Sequence, residues 1–398
     1  MPDLHVPAAS NADAAQARRA GVNKAWSADT VRDAAVLGQY WLAHPLVKAR
    51  VNLLASGRAD VDPYARLAEL LAGRGWPMPV GRAISLGCGF GGLERDLAGR
   101  GVVRQLVGLD LAEGAVAEAR RLAAAAGLEI RYEVADLEGA RLPSGSADVV
   151  FAHQAVHHIE DLDGLFLAVR RALRPGGVLH LHEFVGPKRF QWTDAQLALA
   201  NEFLDSLPQH LRRLPSGAQK GRLLRPTLDA MLRIDPTEAI RSDEIRTVLV
   251  DTFDIIEERE LGGTLVHIAL GDIAQNFDPA DADARAALDR LFTMEDQAMA
   301  DRRIGSDFVT FTAVPRRGTP VAAVRRFVRR ARAAHAAGRA RPPALMPEPA
   351  FDEAWYLDTF PDVREAIAKG VFASGHDHWL HFGKAEGRPP AGAGQTSP

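Results

Sequence analysis

The sequence has few of the features that mark several specialised classes of protein. It contains one cysteine in 398 residues, Cys88, which excludes an intramolecular disulfide and a cysteine-based zinc site. No stretch reaches the roughly 20 apolar residues of a membrane-spanning helix, and Met1 to Gly21 has no apolar core of the kind found in signal peptides. The formal net charge is only −3, so nothing draws the whole chain to nucleic acid or to anionic membranes. We therefore expect a cytoplasmic protein that does not bind nucleic acid.

Glycine, in contrast, is clustered behind a short apolar run. Ala83 to Leu86 has strand character, and Leu93 to Leu97 resumes at helical spacing. Four glycines lie between them, at positions 87, 89, 91 and 92. A strand, a glycine turn and a helix bring a ligand against backbone N–H groups and the positive end of a helix. By itself this pattern also fits a dinucleotide site.

Strand and helix patterns alternate after the glycine turn. The predicted strands are Gln105 to Leu111, Leu128 to Val134, Ala147 to Ala152 and Val178 to Phe184, and the predicted helices are Glu113 to Ala126 and Leu162 to Leu173. Such repetition predicts an α/β fold, with a parallel sheet covered by helices on both faces. Ligands of such folds lie at the carboxyl ends of the strands.

Two carboxylates lie at the carboxyl ends of the first two strands listed above. Asp110 lies about 20 residues beyond the glycine turn, where it can accept hydrogen bonds from both hydroxyls of a ribose. Alternatively, Asp110 and Glu113 have the spacing of a helix capping box. Asp136 can accept from the exocyclic amine of an adenine, with Leu111 or Leu137 packed on the ring, or it can belong to a surface turn.

Five segments in order resemble the successive motifs of class I S-adenosylmethionine-dependent methyltransferases. They are residues 84–91, 108–110, 135–137, 147–159 and 173–179. The resemblance is close over residues 80–185, and Phe253 to Val314 fits the strand-helix-strand ending of that fold. It implies a Rossmann-like sheet of seven strands, with the last strand inserted antiparallel, and S-adenosyl-L-methionine as cofactor.

The same resemblance implies a set of cofactor-binding residues. They are Gly87, Cys88, Gly89, Gly91, Asp110, Leu111, Asp136, Leu137 and His153. The glycines would let the backbone approach the methionine part, and His153 would shape the pocket. This chain departs from the family at Ser85, where an acid is common. The contact to the cofactor's amino group would then come from elsewhere, such as a backbone carbonyl near Gly87 or Ala152.

Three residues are candidates for catalysis at the acceptor. A hydroxyl acceptor needs a general base, and the ordinary pKa of histidine, about 6.5, suits that task. His157 and His158 follow the fourth strand, and Glu183 closes the fifth strand on the same edge. We predict that His157 or His158 is the base and that Glu183 orients it or an acceptor hydroxyl. A packing or cofactor-contact role of the pair is the alternative, and no spacing is diagnostic of a metal site, so we predict none.

Two pairs of neighbouring residues, each with at least one aromatic side chain, are candidates for binding the acceptor. Tyr40 and Trp41 belong to a helical stretch that either caps the ligand or simply packs on the core. Gln191 and Trp192 follow the fifth strand and combine a hydrogen-bonding group with a flat apolar face, which suits sugars or ring compounds. A structural hinge with buried aromatics is the alternative for the second pair.

The pattern of composition predicts six regions. They are a loose N-terminus at 1–25, a helical cap at 26–78, a methyltransferase domain at 79–315 with a helical acceptor-side insertion at 186–247, an Arg-rich linker at 316–349, a small helical module at 350–388 and a flexible tail at 389–398. From Pro315 to Pro343 there are nine arginines and no acidic residue. Such a run is usually a solvated linker helix, although it could make weak contact with an anionic membrane surface.

The C-terminal module resembles one that accompanies bacterial glycosyltransferases and other surface-polysaccharide enzymes. Its pattern makes His378 and Trp379 packing positions, so its three histidines, which also include His376 and His381, are not expected to bind metal. We therefore expect a bacterial methyltransferase that acts on an oxygen of a sugar or surface-glycan precursor. Methylation of a small aromatic or carboxylate metabolite, or an idle scaffold with this fold, are the alternatives; the oligomeric state is not predicted.

Overall fold

The computed structural model describes residues 40–316, 351–368, 374–379 and 389. The chain divides into two compact units, Met1–Arg317 and Gly318–Pro398. The predicted loose N-terminus, the first part of the predicted cap and nearly all of the Arg-rich linker lie outside the described residues. Within the described ranges, no helix has both the length and the apolar character needed to cross a bilayer.

One mixed sheet of seven strands organises the first unit. The strands are β1 (Val80–Leu86), β2 (Val103–Asp110), β3 (Arg131–Val134), β4 (Ala147–His153), β5 (Leu173–Phe184), β6 (Phe253–Gly262) and β7 (Phe308–Pro315). Their order across the sheet is β3-β2-β1-β4-β5-β7-β6. The first five strands pair in parallel, and β7 runs antiparallel between β5 and β6. The predicted Rossmann-like sheet with an antiparallel last strand is confirmed.

Ten helices accompany these strands in the described part of the first unit. They are α1 (Pro45–Ser56), α2 (Pro63–Gly73), α3 (Gly92–Gly99), α4 (Glu113–Ala125), α5 (Leu162–Ala172), α6 (Asp194–Asp205), α7 (Leu228–Ile234), α8 (Ile245–Thr252), α9 (Thr264–Leu270) and α10 (Ala282–Ala300). Short 3-10 turns occur between them, including Val156–His158 after β4.

Local sequence explains where these helices begin and which face they bury. In α5, Leu162, Leu165, Phe166 and Val169 follow the helical period and are all buried. The Asp161 side chain accepts from the Gly164 N–H and so satisfies one donor of the first turn. At α6 the chain forms a full capping box from Thr193 and Gln196.

Strand boundaries differ from the sequence prediction at several places, and strand pairing explains two of them. β3 begins at Arg131 rather than at Leu128, because Arg131 is the first residue that pairs with β2. β5 begins at Leu173, which pairs with Ala147, and the next pair joins Val178 to Val149. Residues 174–177, which lie between the predicted helix and the predicted strand, therefore bulge out within β5, and Gly176 there has a φ of 81°.

The apolar residues of the first unit form separate layers. On one face of the sheet α5 and α8 pack on residues such as Val150 and Leu179. On the other face Leu67 of α2 and Leu97 of α3 pack with Phe151. A third cluster, built from α1, α6, α9 and α10, contains Phe203 and Leu288. Because part of this third cluster packs on Phe184 at the carboxyl end of β5, helices lie beside the edge where the strands end.

The second unit is a small helical module in its described part. Its helices are α11 (Glu353–Thr359), α12 (Pro361–Ala368) and α13 (Gly375–His378). Tyr356, Val363 and Trp379 are buried together, and the Tyr356 hydroxyl lies 3.0 Å from His378 Nδ1. His378 and Trp379 thus occupy packing positions, whereas His381 lies outside the described residues.

Candidate active site

The glycine loop after β1 lies tightly against its neighbours. Gly87, Gly89 and Gly91 have φ values of 65°, 51° and 70°, which residues with a side chain rarely adopt. A Cβ atom on Gly87 would lie 2.3 Å from the Ala155 Cβ, and one on Gly91 would lie 2.4 Å from the Tyr132 hydroxyl. The loop leads directly into α3 at Gly92, so backbone and the positive end of a helix face the ligand side. These features fit a cofactor that must approach bare backbone.

Asp110 links the end of β2 to this loop. Its Oδ2 accepts from the Gly89 N–H and its Oδ1 from the Ala112 N–H, each at 2.8 Å. Burial raises the pKa of Asp110. Helix α4 begins after Ala112 and has no side-chain cap, so the capping-box alternative for Asp110 is wrong.

The other predicted cofactor residues line the neighbouring strand ends. Asp136 accepts from the Glu138 N–H at 2.9 Å in a tight turn after β3. Leu137 is buried in the core, whereas Leu111 is half-buried. Cys88 is buried against Tyr132, and burial raises the pKa of its thiol, so the cysteine behaves as a small apolar residue.

His153 ends β4 next to a tyrosine that sequence reasoning did not single out. The Tyr64 hydroxyl lies 2.6 Å from His153 Nδ1, and the His153 and His182 rings meet edge to face at 4.5 Å. Desolvation lowers the pKa of His153 to about 4 and that of His182 well below its usual value. Both rings are therefore neutral at physiological pH. Nothing in the sequence around Tyr64 distinguishes it from an ordinary buried aromatic of a helix.

His157 lies between two carboxylates. Its Nδ1 is 2.8 Å from Glu183 Oε2, and its Nε2 is 3.4 Å from Glu238 Oε1. The other oxygen of Glu183 accepts from the N–H groups of Ala155 and Val156 at 2.7 and 2.6 Å. Glu183 is completely buried, so it fixes the turn after β4 and the His157 ring together.

His158 is held by a different chain of hydrogen bonds. The Thr237 hydroxyl donates to Asp235 Oδ1 at 2.6 Å, and its oxygen lies 3.0 Å from His158 Nδ1. Since the only hydroxyl proton of Thr237 goes to Asp235, the threonine oxygen accepts from His158 Nδ1–H. This assignment leaves Nε2 as the unprotonated nitrogen of the neutral ring.

Asp235, Thr237 and Glu238 were missed by sequence reasoning. They belong to the irregular stretch between α7 and α8, about 80 residues after the histidines, where no periodic pattern marks them. The stretch is fixed over the histidines by a backbone hydrogen bond from Ile240 N–H to the His157 carbonyl at 3.0 Å. The one available signal was the clustering of two acids around a proline and a threonine.

The two adjacent histidines have opposite charge preferences. Burial alone would lower the pKa of His157, but the carboxylates of Glu183 and Glu238 raise it to about 10. Burial and the neighbouring His157 lower the pKa of His158. The pKa of Glu238 falls to about 2 despite its burial, because it faces both rings. At neutral pH His157 is therefore an imidazolium, and His158 is a neutral imidazole.

The same three side chains could also hold a cation. The candidate ligand atoms of His157, His158 and Glu238 all lie within 4.8 Å of one another. Among the described residues, these three have the spacing needed to hold a metal ion. A metal there would have to displace the proton of His157, since only a neutral ring ligates.

The predicted acceptor residues lie at different depths. Tyr40 is 43% exposed, and its hydroxyl donates to Gln154 Oε1 at 3.0 Å. Trp41 is buried against Phe308, which fits the packing alternative given for this pair. Gln191 donates to the carbonyls of Arg189 and Pro226, and Trp192 stacks on Phe190 at 5.6 Å. Gln191 and Trp192 are both half-buried.

Comparison with known proteins identifies the domain that carries this site. Residues 84–181 match a family described as "Methyltransferase domain". The chain is 28% identical over 167 residues to a sterol 24-C-methyltransferase of Yarrowia lipolytica, which covers 42% of this chain and 40% of that protein. It is 32% identical over 168 residues to a malonyl-[acyl-carrier protein] O-methyltransferase of Enterobacter lignolyticus, which covers 42% of this chain and 59% of that protein. The chain therefore spans less than two thirds of the length of either relative.

Among solved structures, a similar one is phosphoethanolamine N-methyltransferase 2 of Haemonchus contortus in complex with S-adenosyl-L-methionine. The identity is 19%, with 63% of this chain and 52% of that chain covered and a TM-score of 0.39. Residues 84–181, which match the methyltransferase family, contain the glycine loop, Asp110 and the two adjacent histidines of this site. The glycine loop and Asp110 fit S-adenosyl-L-methionine, the cofactor that the sequence resemblance implies.

Proposed function

We propose that the chain transfers the methyl group of S-adenosyl-L-methionine to a hydroxyl oxygen of a small polar acceptor, with His158 as the general base. The cofactor supplies an already activated methyl group. The protein must then align the acceptor oxygen and remove its proton. The observation that carries the proposal is the chain Asp235–Thr237–His158, which holds a neutral ring with Nε2 as the proton acceptor.

The neighbouring groups support this assignment of roles. When His158 takes the proton of the acceptor hydroxyl at Nε2, its Nδ1–H continues to donate to the Thr237 oxygen. The carboxylates of Asp235 and Glu238 then stabilise the positively charged ring. His157 is already protonated and cannot accept a further proton, so we assign it the role of holding Glu183 and Glu238 in place.

On the cofactor side, we propose that Gly87, Gly89 and Gly91 receive the methionine part and that Asp110 binds the ribose. Asp136 would bind the adenine amine, with Leu111 against the ring, because Leu111 is half-buried whereas Leu137 is deeply buried. His153, Cys88 and Leu137 would shape the pocket without contacting the reacting atoms. The acceptor would lie under the insertion at 186–247, between Tyr40 and the pair Gln191 and Trp192.

For the acceptor we propose a sugar or a surface-glycan precursor. The polar groups of Glu238, Gln191 and Tyr40 suit a molecule with several hydroxyls, and Trp192 offers a flat face. The resemblance of the C-terminal module to modules of polysaccharide enzymes points the same way. Weak contact of the Arg-rich linker with an anionic membrane surface remains part of this proposal, as do the predicted domain boundaries.

The test is methyl transfer from radiolabelled S-adenosyl-L-methionine to a panel of nucleotide sugars and a panel of small phenols. With the acceptor found, we expect His158→Ala to lower kcat by about 10²–10⁴-fold. The affinity for S-adenosylhomocysteine, measured by calorimetry, should stay unchanged. Thr237→Val should lower kcat less, and Thr237→Ser should restore it, because serine keeps the hydroxyl that receives Nδ1–H.

Each alternative has its own outcome. Unchanged kcat in His158→Ala would remove the base assignment. Activity on phenols alone would favour a small aromatic acceptor. Binding of S-adenosylhomocysteine without methylation of either panel would weaken the sugar proposal, and no binding at all would favour an idle scaffold.

A further inference from the structure

A buried carboxylate next to the glycine loop has no role in the account so far. Glu94 is in the first turn of α3, three residues after Gly91, and only 1% of it is exposed. Neither of its carboxylate oxygens takes part in a hydrogen bond of normal geometry. Burial raises the pKa of Glu94, and the nearby Ser85 hydroxyl, the Glu94 backbone N–H and Arg95 lower it in part, although neither carboxylate oxygen makes a hydrogen bond of normal geometry.

Glu94 lies in the first turn of the helix that follows the glycine loop, and its charge acts on residues around that loop. Its negative charge raises the pKa values of Cys88 in the loop and of Tyr132 behind it. It also raises the pKa of Tyr64, whose hydroxyl contacts His153 at the end of β4. Glu94 thus lies among the residues that surround the loop, not on the outer face of its helix.

A buried carboxylate destabilises the folded protein unless a cation pairs with it. Burial of a carboxylate without a partner is unfavourable, because the charged form loses its hydration. Burial accordingly raises the pKa of Glu94 to about 7. The neighbouring Arg95 donates to the Phe90 carbonyl. On the same helix the exposed Asp96 does pair with an arginine, Arg100.

We propose that Glu94 binds the primary ammonium group of the cofactor's methionine part, directly or through one water molecule. It would do so in place of the acid that this chain lacks at Ser85. The inference rests on the proposed function to the extent that the chain must bind S-adenosyl-L-methionine. Ammonium is the chemistry that fits, because a glycine loop leaves the amino-acid end of the cofactor against backbone and this one acid is buried beside it.

Two ligands separate this role from a merely structural one. S-adenosylhomocysteine carries the ammonium group, whereas 5′-methylthioadenosine has the same nucleoside and lacks the amino-acid part. We expect Glu94→Gln to lower the affinity for S-adenosylhomocysteine by about tenfold or more, as measured by calorimetry with the full chain. This is the size of the effect of one hydrogen bond to a charged group. The affinity for 5′-methylthioadenosine should stay the same. Asp96→Asn, on the same helix, is the matched control and should change neither affinity.

A rescue variant sharpens the test. In Ser85→Asp/Glu94→Gln the carboxylate returns to the strand, and we expect most of the lost affinity for S-adenosylhomocysteine to return. If Glu94→Gln does not fold, proton release on ligand binding by the wild-type chain still tests the inference. Binding of S-adenosylhomocysteine near pH 7 should release part of a proton, because a nearby cation ionises Glu94, and binding of 5′-methylthioadenosine should not.

The outcomes are distinct. Equal affinity of wild type and Glu94→Gln for S-adenosylhomocysteine would overturn the inference, as would equal weakening of both ligands or equal proton release by both. Failure of the wild-type chain to bind either ligand would instead overturn the cofactor assignment on which the proposed function depends.

Discussion

At the β1–β2 end of the sheet edge the polar contacts are made with backbone, whereas at the β4–β5 end they join side chains to one another. Asp110 accepts from the N–H groups of Gly89 and Ala112. His157, in contrast, contacts Glu183 and Glu238, which come from segments 26 and 81 positions away. The first region needs only a local loop in the correct conformation. The second exists only when distant segments have docked, so its chemistry depends on packing.

The two regions meet where Gly87 lies against Ala155. A Cβ on Gly87 would overlap Ala155, and the Ala155 N–H donates to the buried Glu183. A disturbance of the glycine loop at this point should therefore reach the histidines. Changes made further from the contact should affect one region alone, and the predictions below test that separation.

The largest effect is expected for Gly87→Ala. The added Cβ would lie 2.3 Å from the Ala155 Cβ at a φ of 65°, and the left-handed conformation alone costs an alanine about 1–2 kcal/mol. We expect binding of S-adenosylhomocysteine to weaken by at least about tenfold and the melting temperature to fall. Calorimetry and thermal unfolding measure both. Gly99→Ala at the other end of α3, where a Cβ meets nothing within 4 Å, is the control; an equal effect there would show that the contact is unimportant.

Changes in the side-chain region should have a smaller effect on cofactor binding, and their main effect should be on the pH dependence of stability. The pKa of folded His157 is about 10, above the unfolded value of about 6.5, so its contribution to stability is complete below about pH 6.5 and is lost as the pH rises through 10. The free energy of unfolding should then fall over this range by up to about 1.4 kcal/mol per pH unit. His157→Asn should flatten that slope in urea titrations at pH 6, 8 and 10.

The exposed His210 supplies the matched control for this measurement, since His210→Asn removes a histidine without touching the cluster. Parallel slopes for wild type and His157→Asn would mean that His157 is not held as an imidazolium. The affinity for S-adenosylhomocysteine should change little in His157→Asn if the two regions are as separate as their contacts suggest.

The smallest effect is expected from removal of metal. If His157 is protonated, the trio with His158 and Glu238 cannot ligate, and treatment with a chelator should leave kcat as it was. The assay is the methyl transfer described above, before and after dialysis against the chelator. A loss of activity that zinc or magnesium restores would show that the trio is a metal site and would replace the base assignment.

The glycine-loop region was largely predictable because its determinants are close together in the chain. The glycine turn, the strand before it and Asp110 all fall within residues 80–110, and each pattern has a direct conformational reading. Strand ends were less predictable: the start of β5 at Leu173 depends on its pairing with Ala147, which no local pattern reveals. Glu94 was also missed, because a glutamate in the first turn of a helix is ordinary until its burial is known.

The region around the two histidines was predictable only in part. The sequence indicated that His157, His158 and Glu183 meet at one edge, and the structure brings Glu183 within 2.8 Å of His157. The sequence did not indicate which histidine is neutral, because that depends on contacts with Thr237 and Glu238. It also did not indicate that Trp41 is buried against Phe308. The N-terminal stretch, the Arg-rich linker and His381 lie outside the described residues, and their predicted roles stay predictions.

Sequence alone thus determined the order of the strands along the chain, the glycine turn and the acids that follow it, since these depend on conformational preferences of neighbouring residues. Tertiary structure decided the charge of each histidine and the isolation of Glu94. Protonation depends on burial and on the groups within a few ångströms, and both are properties of segments that come together only in the folded chain.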